Sequence, residues 1–475
     1  MLSSVPGSFR DPANRVYSFS ENSEKGQDYG VYRGVNQKSL DYYRELSQAP
    51  FFKGLVADRK LVRTKEVDSG NIFKQIKNDG WAGVLEHEPV PFITYPYEWP
   101  FEMLKDAAIL HLDILEEALE GGWTLKDATP YNIQWLNSRP VFIDIPSFEP
   151  WETGSPWVGY RQFCNMFLTP LMLRAHLDID HLPLLRSYLD GIAPTEALKF
   201  FQGKNKFKKG VMAHLSLAAR VETSIQKKER DDVEVKARTA RTHSKAMVIG
   251  LVQSLNRLVK KLKVDIAHTD WSHYDKTHSY NDQEHDEKKG FVEKAIKAAP
   301  RKFVWDIGCN TGTFSRIAAA HADLVLGLDG DHDAVQQLYL KEKTEKDSKI
   351  ISAVMNLANI SPNHGWAGQE RAALDNRRKP DLVLVLALIH HMRISSNIPT
   401  SLFLSWLRGL DAEIVIEFVT RKDEMVVKLL AHKSEQYLDY NVEQFASECE
   451  ELFQISDRQI LKGGKREIFH LIPRR

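Results

Sequence analysis

The sequence predicts an α/β chain in three parts: an α+β domain over residues 1–200, a basic helical connector over 201–265, and a mostly parallel sheet alternating with helices over 266–475. Three observations predict it. At 475 residues the chain is too long for one ordinary core. Apolar runs that end in acidic or polar residues alternate with helical patterns from Val304 onward. Between Gly203 and Lys263, sixteen Lys and Arg stand against five Asp and Glu, although the chain as a whole has a formal charge of zero.

The most informative stretch is Val304-Trp-Asp-Ile-Gly-Cys-Asn-Thr-Gly312, followed by Leu326-Gly-Leu-Asp329. An apolar run ends in acid, two glycines four apart let the backbone approach a ligand, a helix opens at Thr313, and a second apolar run ends in another acid. Asp329 lies 23 residues beyond Asp306, where the second strand of a Rossmann-like unit presents a carboxylate to a ribose diol. A dinucleotide site would need Gly-x-Gly-x-x-Gly to seat a pyrophosphate. The pattern here is Asp-x-Gly-x-Asn-x-Gly, whose entrance carboxylate suits a cationic ligand.

This stretch resembles motif I of the class I S-adenosylmethionine-dependent methyltransferases. The resemblance implies a Rossmann-like domain in which Asp306, Gly308 and Gly312 frame the methionine end of the cofactor and Asp329 binds the ribose hydroxyls. Asn310 stands where the common pattern has its middle glycine, and asparagine tolerates a left-handed backbone better than most residues. A third strand, Ile350 to Met355, leads to Asn356, which by the same resemblance faces the adenine amine. The fourth strand, Asp381 to Ala387, is apolar without alternation, as a strand covered on both faces should be. It ends at Leu388-Ile-His-His-Met392, which resembles the family's motif IV. A fifth strand, Glu413 to Phe418, carries Glu417 near its carboxyl edge. His390 and His391 are the candidate bases for a neutral acceptor, His390 being taken as the nearer of the two.

Composition narrows the class. Hydrophobic content of 43% with 27% charged residues describes a globular protein. Three cysteines without metal-ligand spacing argue for a reducing compartment and against a disulfide framework. No apolar run approaches the length needed to span a bilayer, and the first ten residues lack a leader pattern, so a cytoplasmic location is expected. No metal is expected; His273, His278 and His285 do not form a tight ligand set.

In the connector, Val248, Leu251, Val252, Leu255, Leu258, Val259 and Leu262 repeat at helical spacing, with Lys260, Lys261 and Lys263 around the helix end. A helix that buries its stripe and leaves its lysines in water is the preferred reading, ahead of a basic surface for RNA, anionic lipid or an acidic acceptor.

The N-terminal part carries a second pattern. Asp127-x-x-x-x-Asn132 is followed by an apolar run ending at Asp144, twelve residues past the Asn. This resembles the catalytic and metal-binding loops of protein kinases and small-molecule phosphotransferases. Pro91 to Tyr97 is expected as a hinge strand and Leu104 to Leu119 as the helix after it. Leu125 stands where His is usual, no Gly-x-Gly-x-x-Gly loop is present, and no phosphate-pairing lysine can be chosen among Lys60, Lys65 and their neighbours. A degenerate kinase-like domain kept for shape or docking is therefore preferred over phosphotransfer and over a coincidence of the pattern.

Between these parts, Asp270 to Tyr280 is dense in aromatic and imidazole groups. Trp271, Tyr274 and Tyr280 would wall an acceptor pocket, with His273 or His278 placed to take a proton; packing aromatics is the equal alternative. Across the whole chain, Gly7 to Pro12, Leu125 to Asn132 and Pro156 to Phe163 resemble a bacterial family of class I methyltransferases that includes nodulation-associated host-specificity proteins. The expected function is methyl transfer from S-adenosylmethionine to a small-molecule or glycan-like acceptor. Two alternatives remain: a SAM-binding docking protein without turnover, and an RNA methyltransferase drawing on the basic connector. The oligomeric state is not legible.

Overall fold

The computed structural model describes residues 2–20, 29–216, 219, 243–264, 282–345, 348–431 and 436–475. The chain forms two units, one of Met1–Asp265 with His364–Arg371, the other of Ile266–Asn363 with Ala372–Arg475.

The first unit opens with a five-stranded antiparallel sheet in the order β1-β2-β3-β5-β4. Its strands are β1 (Leu2–Ser4), β2 (Asn14–Ser20), β3 (Tyr29–Val35), β4 (Thr64–Val67) and β5 (Gly83–His87). Helices α1 (Gln37–Leu46) and α2 (Pro50–Ala57) lie between β3 and β4 in sequence, and α3 (Asn71–Asn78) between β4 and β5. Ile72, Phe73 and Ile76 of α3 pack with Tyr17, Val84 and Trp81, so three residues at helical spacing cover one sheet face.

Residues Pro91 to Tyr97 form no hydrogen-bonded strand; the segment breaks at Pro96 into a short 3-10 turn, Pro96–Glu98, because prolines 91 and 96 lack the amides a ladder needs. The helix expected next is α4, Phe101–Glu120. It is buried nearly all round and forms the axis of the unit. Two short two-stranded antiparallel sheets follow, β6 (Trp123–Leu125) with β9 (Phe148–Pro150) and, between them in sequence, the hairpin β7 (Ile133–Leu136) with β8 (Arg139–Phe142). Four short helices come next: α5 (Tyr160–Phe163), α6 (Thr169–Leu177), α7 (Leu182–Ser187) and α8 (Pro194–Phe200).

The connector's helix is α9, Lys245–Lys261, capped by the Ser244 hydroxyl on the Met247 amide. It packs along α4 in the same unit. Val248, Val252, Leu255, Leu258 and Val259 are buried, and Gln253 and Asn256 donate to Glu116 at 2.7 Å and Asp113 at 2.5 Å.

The second unit is a seven-stranded sheet in the order β12-β11-β10-β13-β14-β16-β15. The strands are β10 (Val304–Ile307), β11 (Val325–Asp329), β12 (Ile350–Val354), β13 (Leu382–Val385), β14 (Glu413–Val419), β15 (Phe453–Ile460) and β16 (Arg466–Pro473). The first five run parallel, and β16 is antiparallel to both β14 and β15. β10 and β13 are buried at every position, as the unbroken apolar runs require of a sheet covered on both faces. The covering helices are α10 (Asp282–Lys297), α11 (Thr313–Ala319), α12 (His332–Thr344), α13 (Thr400–Gly409), α14 (Glu424–Leu430) and α15 (Val442–Leu452). The chain runs outward from β10 through β11 to β12, then returns to β13 on the other side. That reversal makes the carboxyl ends of β10 and β13 a topological switch point, the place where open α/β sheets bind ligands.

Candidate active site

The turn after β10 is built around three left-handed residues, Gly308 (φ +77°), Asn310 (φ +49°) and Gly312 (φ +84°). It folds back on β11, since the amides of Gly308 and Cys309 both donate to the Leu328 carbonyl, at 2.7 and 3.0 Å. A methyl group at Gly312 would lie 2.3 Å from Leu338 Cδ1 of α12, so close helix packing demands glycine there. At Gly308 the same methyl would meet Leu388 Cδ1 at 3.5 Å, an ordinary contact. Gly308 is therefore fixed by its backbone angle, and the loop after β13 lies against it.

Asp329, at the end of β11, is held from both sides. Its Oδ2 accepts the Asn310 amide at 2.8 Å and its Oδ1 the Asp331 amide at 2.8 Å. Burial raises its pKa, and these backbone donors oppose the rise. A carboxylate has about four lone-pair sites, so these backbone donors do not use them all. Asp331 in turn caps α12 by accepting the Asp333 and Ala334 amides. Asp306 is only 2% exposed and accepts the Ser315 hydroxyl at 2.5 Å. Burial pushes its pKa up to about 6, against the pull of that hydrogen bond. Asn356 follows β12, next to β11; it is exposed, and its Oδ1 accepts the Ala358 amide at 2.9 Å. Asp306, Gly308, Asn310, Gly312, Asp329 and Asn356 thus all lie at the carboxyl ends of three adjacent strands.

The loop after β13 carries backbone strain at Ala387 (φ +53°) and enters a π-helical turn at His391–Ser395. The rings of His390 and His391 lie 4.1 Å apart, so successive residues here do not diverge as they would along a strand. His390 is 1% exposed, and neither of its ring nitrogens has a hydrogen-bond partner. Burial, then the neighbouring His391, holds its pKa well below the ordinary value. His391 keeps a partly open edge, and burial lowers its pKa too.

Beneath this loop lies a charged network that sequence reasoning found only in part. Glu417 of β14 accepts Lys288 of α10 at 2.7 Å and Arg466 of β16 at 3.3 Å, and Arg466 also reaches Asp423 at 2.9 Å. All four side chains are at most 4% exposed. Glu417, interrupting an apolar strand, was the sequence signal; a lysine on an amphipathic helix and an arginine at a strand start look like surface charges. The aromatic segment Asp270 to Tyr280, with Trp271, His273, Tyr274 and His278, lies outside the described residues.

In the first unit, Asn132 donates to Asp144 Oδ2 at 3.3 Å, while Asp144 Oδ1 takes the Arg33 guanidinium of β3 at 2.6 Å. Arg33 also reaches Asn14, and Lys126 pairs with Asp11 at 2.8 Å. The lysines considered from sequence are engaged elsewhere, Lys60 with Glu117 and Lys65 with Glu86. The cation facing Asp144 is Arg33, an alternating strand position that carries no motif of its own. Burial, then the charge of Asp144, raises the pKa of Asp127.

The sheet order and the strand-end loops define a Rossmann-like α/β unit with its topological switch point at the β10/β13 reversal. Among known proteins, no family model matches the chain. The nodulation protein NoeA of Rhizobium meliloti (strain 1021) is 30% identical over 467 residues, covering 98% of this chain and 95% of that one; the chain belongs to the NoeA family. Among solved structures, the N-methyltransferase NodS from Bradyrhizobium japonicum WM9 aligns over 41% of this chain and 99% of its own, at 11% identity and a TM-score of 0.31. The magnesium protoporphyrin IX methyltransferase ChlM from Synechocystis PCC 6803, with bound SAM, aligns over 44% and 99%, at 16% identity and a TM-score of 0.27. Monomeric WbdD aligns over 46% and 48%, at 15% identity and a TM-score of 0.29.

Proposed function

We propose that the chain is an S-adenosylmethionine-dependent methyltransferase, with the cofactor seated in the loops after β10, β11 and β12. The observation that carries this reading is the cradle made by the left-handed turn 308–312 and the doubly anchored Asp329 carboxylate. The residues fit the group. Glycines at two of the three left-handed positions keep side chains off the turn, Asp329 retains lone pairs for a diol, and Asn356 offers an amide at the next strand end.

Bound there, the cofactor supplies a methyl group already activated on sulfur. This chain's residues would then align the acceptor and exclude water. The His390–His391 pair is the candidate base: burial keeps both imidazoles neutral, ready to accept a proton from an acceptor hydroxyl or amine at neutral pH. His391 has the open edge, and His390 has two buried nitrogens in need of partners. The acceptor proposed is a small molecule or a glycan-like compound.

Titration calorimetry with S-adenosylmethionine on wild type and Asp329→Ala tests the reading. Losing charge-assisted bonds of about 1.5–3 kcal/mol should weaken binding roughly tenfold to a hundredfold. Equal affinity in both proteins, or none in either, overturns it. Release of S-adenosylhomocysteine in fractionated lysate separates an enzyme from a binding protein without turnover.

A second reading concerns the first unit. Its antiparallel sheet, its central helix and the Asp127–Asn132–Asp144 set support a kinase-like domain, and the Arg33–Asp144 ion pair supports one that does not hold magnesium–nucleotide. Recruiting or shaping the acceptor is the role we assign it.

A further inference from the structure

We propose that the segment from Lys204 to Met212 of the first unit, where the 3-10 turn Gly203–Phe207 runs into the π-helical turn Val211–Ser216, docks the protein on an anionic phospholipid surface. Residues 197–216 hold five lysines and no acidic residue. Lys199 is paired with Glu196 at 2.6 Å, whereas Lys204, Lys206, Lys208 and Lys209 have no carboxylate partner among the described residues. Phe207 rises among these four lysines and is 79% exposed; Met212 and Phe200, beside them in sequence, are 46% and 42% exposed.

A single exposed apolar side chain is ordinary, but Phe207 stands close in sequence to exposed Phe200 and Met212, with lysines on both sides. The loop is also well seated. Phe201, Val211 and Leu215 are fully buried on either side of the tip, and the Lys209 carbonyl is bonded to His176 Nε2 at 3.1 Å. Gly210, at φ +87°, lies so close to Leu258 of α9 that a methyl there would sit 2.6 Å from Leu258 Cδ2. The apolar tip is thus presented rather than tucked in.

Lysines on both sides of an exposed apolar side chain in sequence match the two terms of interfacial binding. The cations meet the negative leaflet and the wedge enters the headgroup–acyl boundary. RNA is the poorer fit. Residues 197–216 hold no arginine to read a base edge, and Phe207 is the one ring between Lys206 and Lys208.

The full chain is co-sedimented with vesicles of phosphatidylcholine alone and of phosphatidylcholine with phosphatidylglycerol, over a salt series. Binding to the anionic vesicles only, falling as salt rises, is expected. Phe207→Ala should weaken it about tenfold with the salt slope unchanged. Each lysine of the tip exchanged for glutamine should cost about fivefold and flatten the slope. Thermal midpoints within a degree or so of wild type are expected, because these side chains touch no core. Binding to neutral vesicles equal to that on anionic ones, no vesicle binding, or vesicle binding unmoved by these exchanges overturns the proposal. So does binding to total RNA that the lysine exchanges abolish while vesicles are not bound, which would assign the loop to nucleic acid.

Discussion

The Asn310 amide donates to Asp329 Oδ2 at 2.8 Å, joining the turn after β10 to the end of β11. It ties the left-handed turn and the Asp329 carboxylate into one rigid object. With the Asp331 amide on the other oxygen, Asp329 cannot rotate without breaking charge-assisted bonds, so it is positioned before any ligand arrives. Asn310 meets this requirement from the left-handed region, with its own Oδ1 accepting the Thr311 amide at 2.6 Å.

The two glycines of that turn should differ in how they tolerate alanine. Gly308→Ala meets only the backbone penalty, about 1 kcal/mol, because its methyl would have room. Gly312→Ala adds a 2.3 Å clash with Leu338 and should cost about 2–4 kcal/mol. Urea denaturation of the two variants checks the order. Equal losses would mean that α12 yields more easily than its packing implies.

Much of the second unit could be read from sequence, for a physical reason. Unbroken apolar runs such as Leu382–Val385 have few alternatives to a buried parallel strand, and each strand-end polar residue marks where the run stops. The left-handed Asn310 was equally legible. The first unit was harder. Pro91 to Tyr97 had strand-like composition, but its prolines remove the ladder donors. The partners of Asp144 and Glu417 come from strands and helices far away in sequence, and long-range ion pairs leave no local pattern. The contact between the His390 and His391 rings was missed because a helical turn, not an extended strand end, carries them.

The Asp306 carboxylate should make the cofactor-free protein less stable as pH rises. Its folded pKa is about 6, above the unfolded value near 3.9. The fold therefore holds the proton more tightly, and stability falls between roughly pH 4 and pH 6, staying low above that. Asp306→Asn can keep an acceptor for Ser315 and removes the buried charge. At pH 8 it should be more stable than wild type by about 2 kcal/mol, and the advantage should vanish near pH 4. Thermal midpoints at the two pH values test this; a variant less stable at pH 8 would show that the ionised group is fully compensated.

His111 predicts the opposite trend. It is fully buried on α4 among Trp157, Phe163, Phe167 and Phe142, both nitrogens are without partners, and burial lowers its pKa to about 3. Above pH 6.5 the imidazole is neutral in both states and contributes no pH dependence. Below it the unfolded chain takes the proton first, and stability falls until about pH 3, by an amount of order 4 kcal/mol. His111→Phe fits the aromatic box and should flatten the acid limb of a stability–pH curve while changing stability at pH 7.5 by less than about 1.5 kcal/mol. An unchanged acid limb would place the lability elsewhere, in His87 or His390.

The last prediction turns on Arg33 and Asp144. Both oxygens of Asp144 are engaged, one by the guanidinium at 2.6 Å and one by Asn132 at 3.3 Å, and the ion pair is only 11% and 18% exposed. A magnesium ion taking Asp144 would have to displace Arg33 into a cleft already lined by Lys126 and Asn14. Phosphoryl transfer depends on metal and clamp positioning the phosphates, and among the described residues this unit presents neither a glycine loop nor a free carboxylate pair. Wild type should therefore show no thermal shift with ATP and magnesium. Arg33→Met should lower the midpoint, since Asp144 loses its counter-ion beside Asp127, at a cost of about 1–3 kcal/mol. Magnesium alone should then restore part of the loss, because two carboxylates and an amide carbonyl offer a hard cation oxygen ligands once the guanidinium is gone. Stabilisation of wild type by magnesium–ATP that disappears in Asp144→Asn would instead establish a working nucleotide site, and the docking role assigned to the first unit would fall.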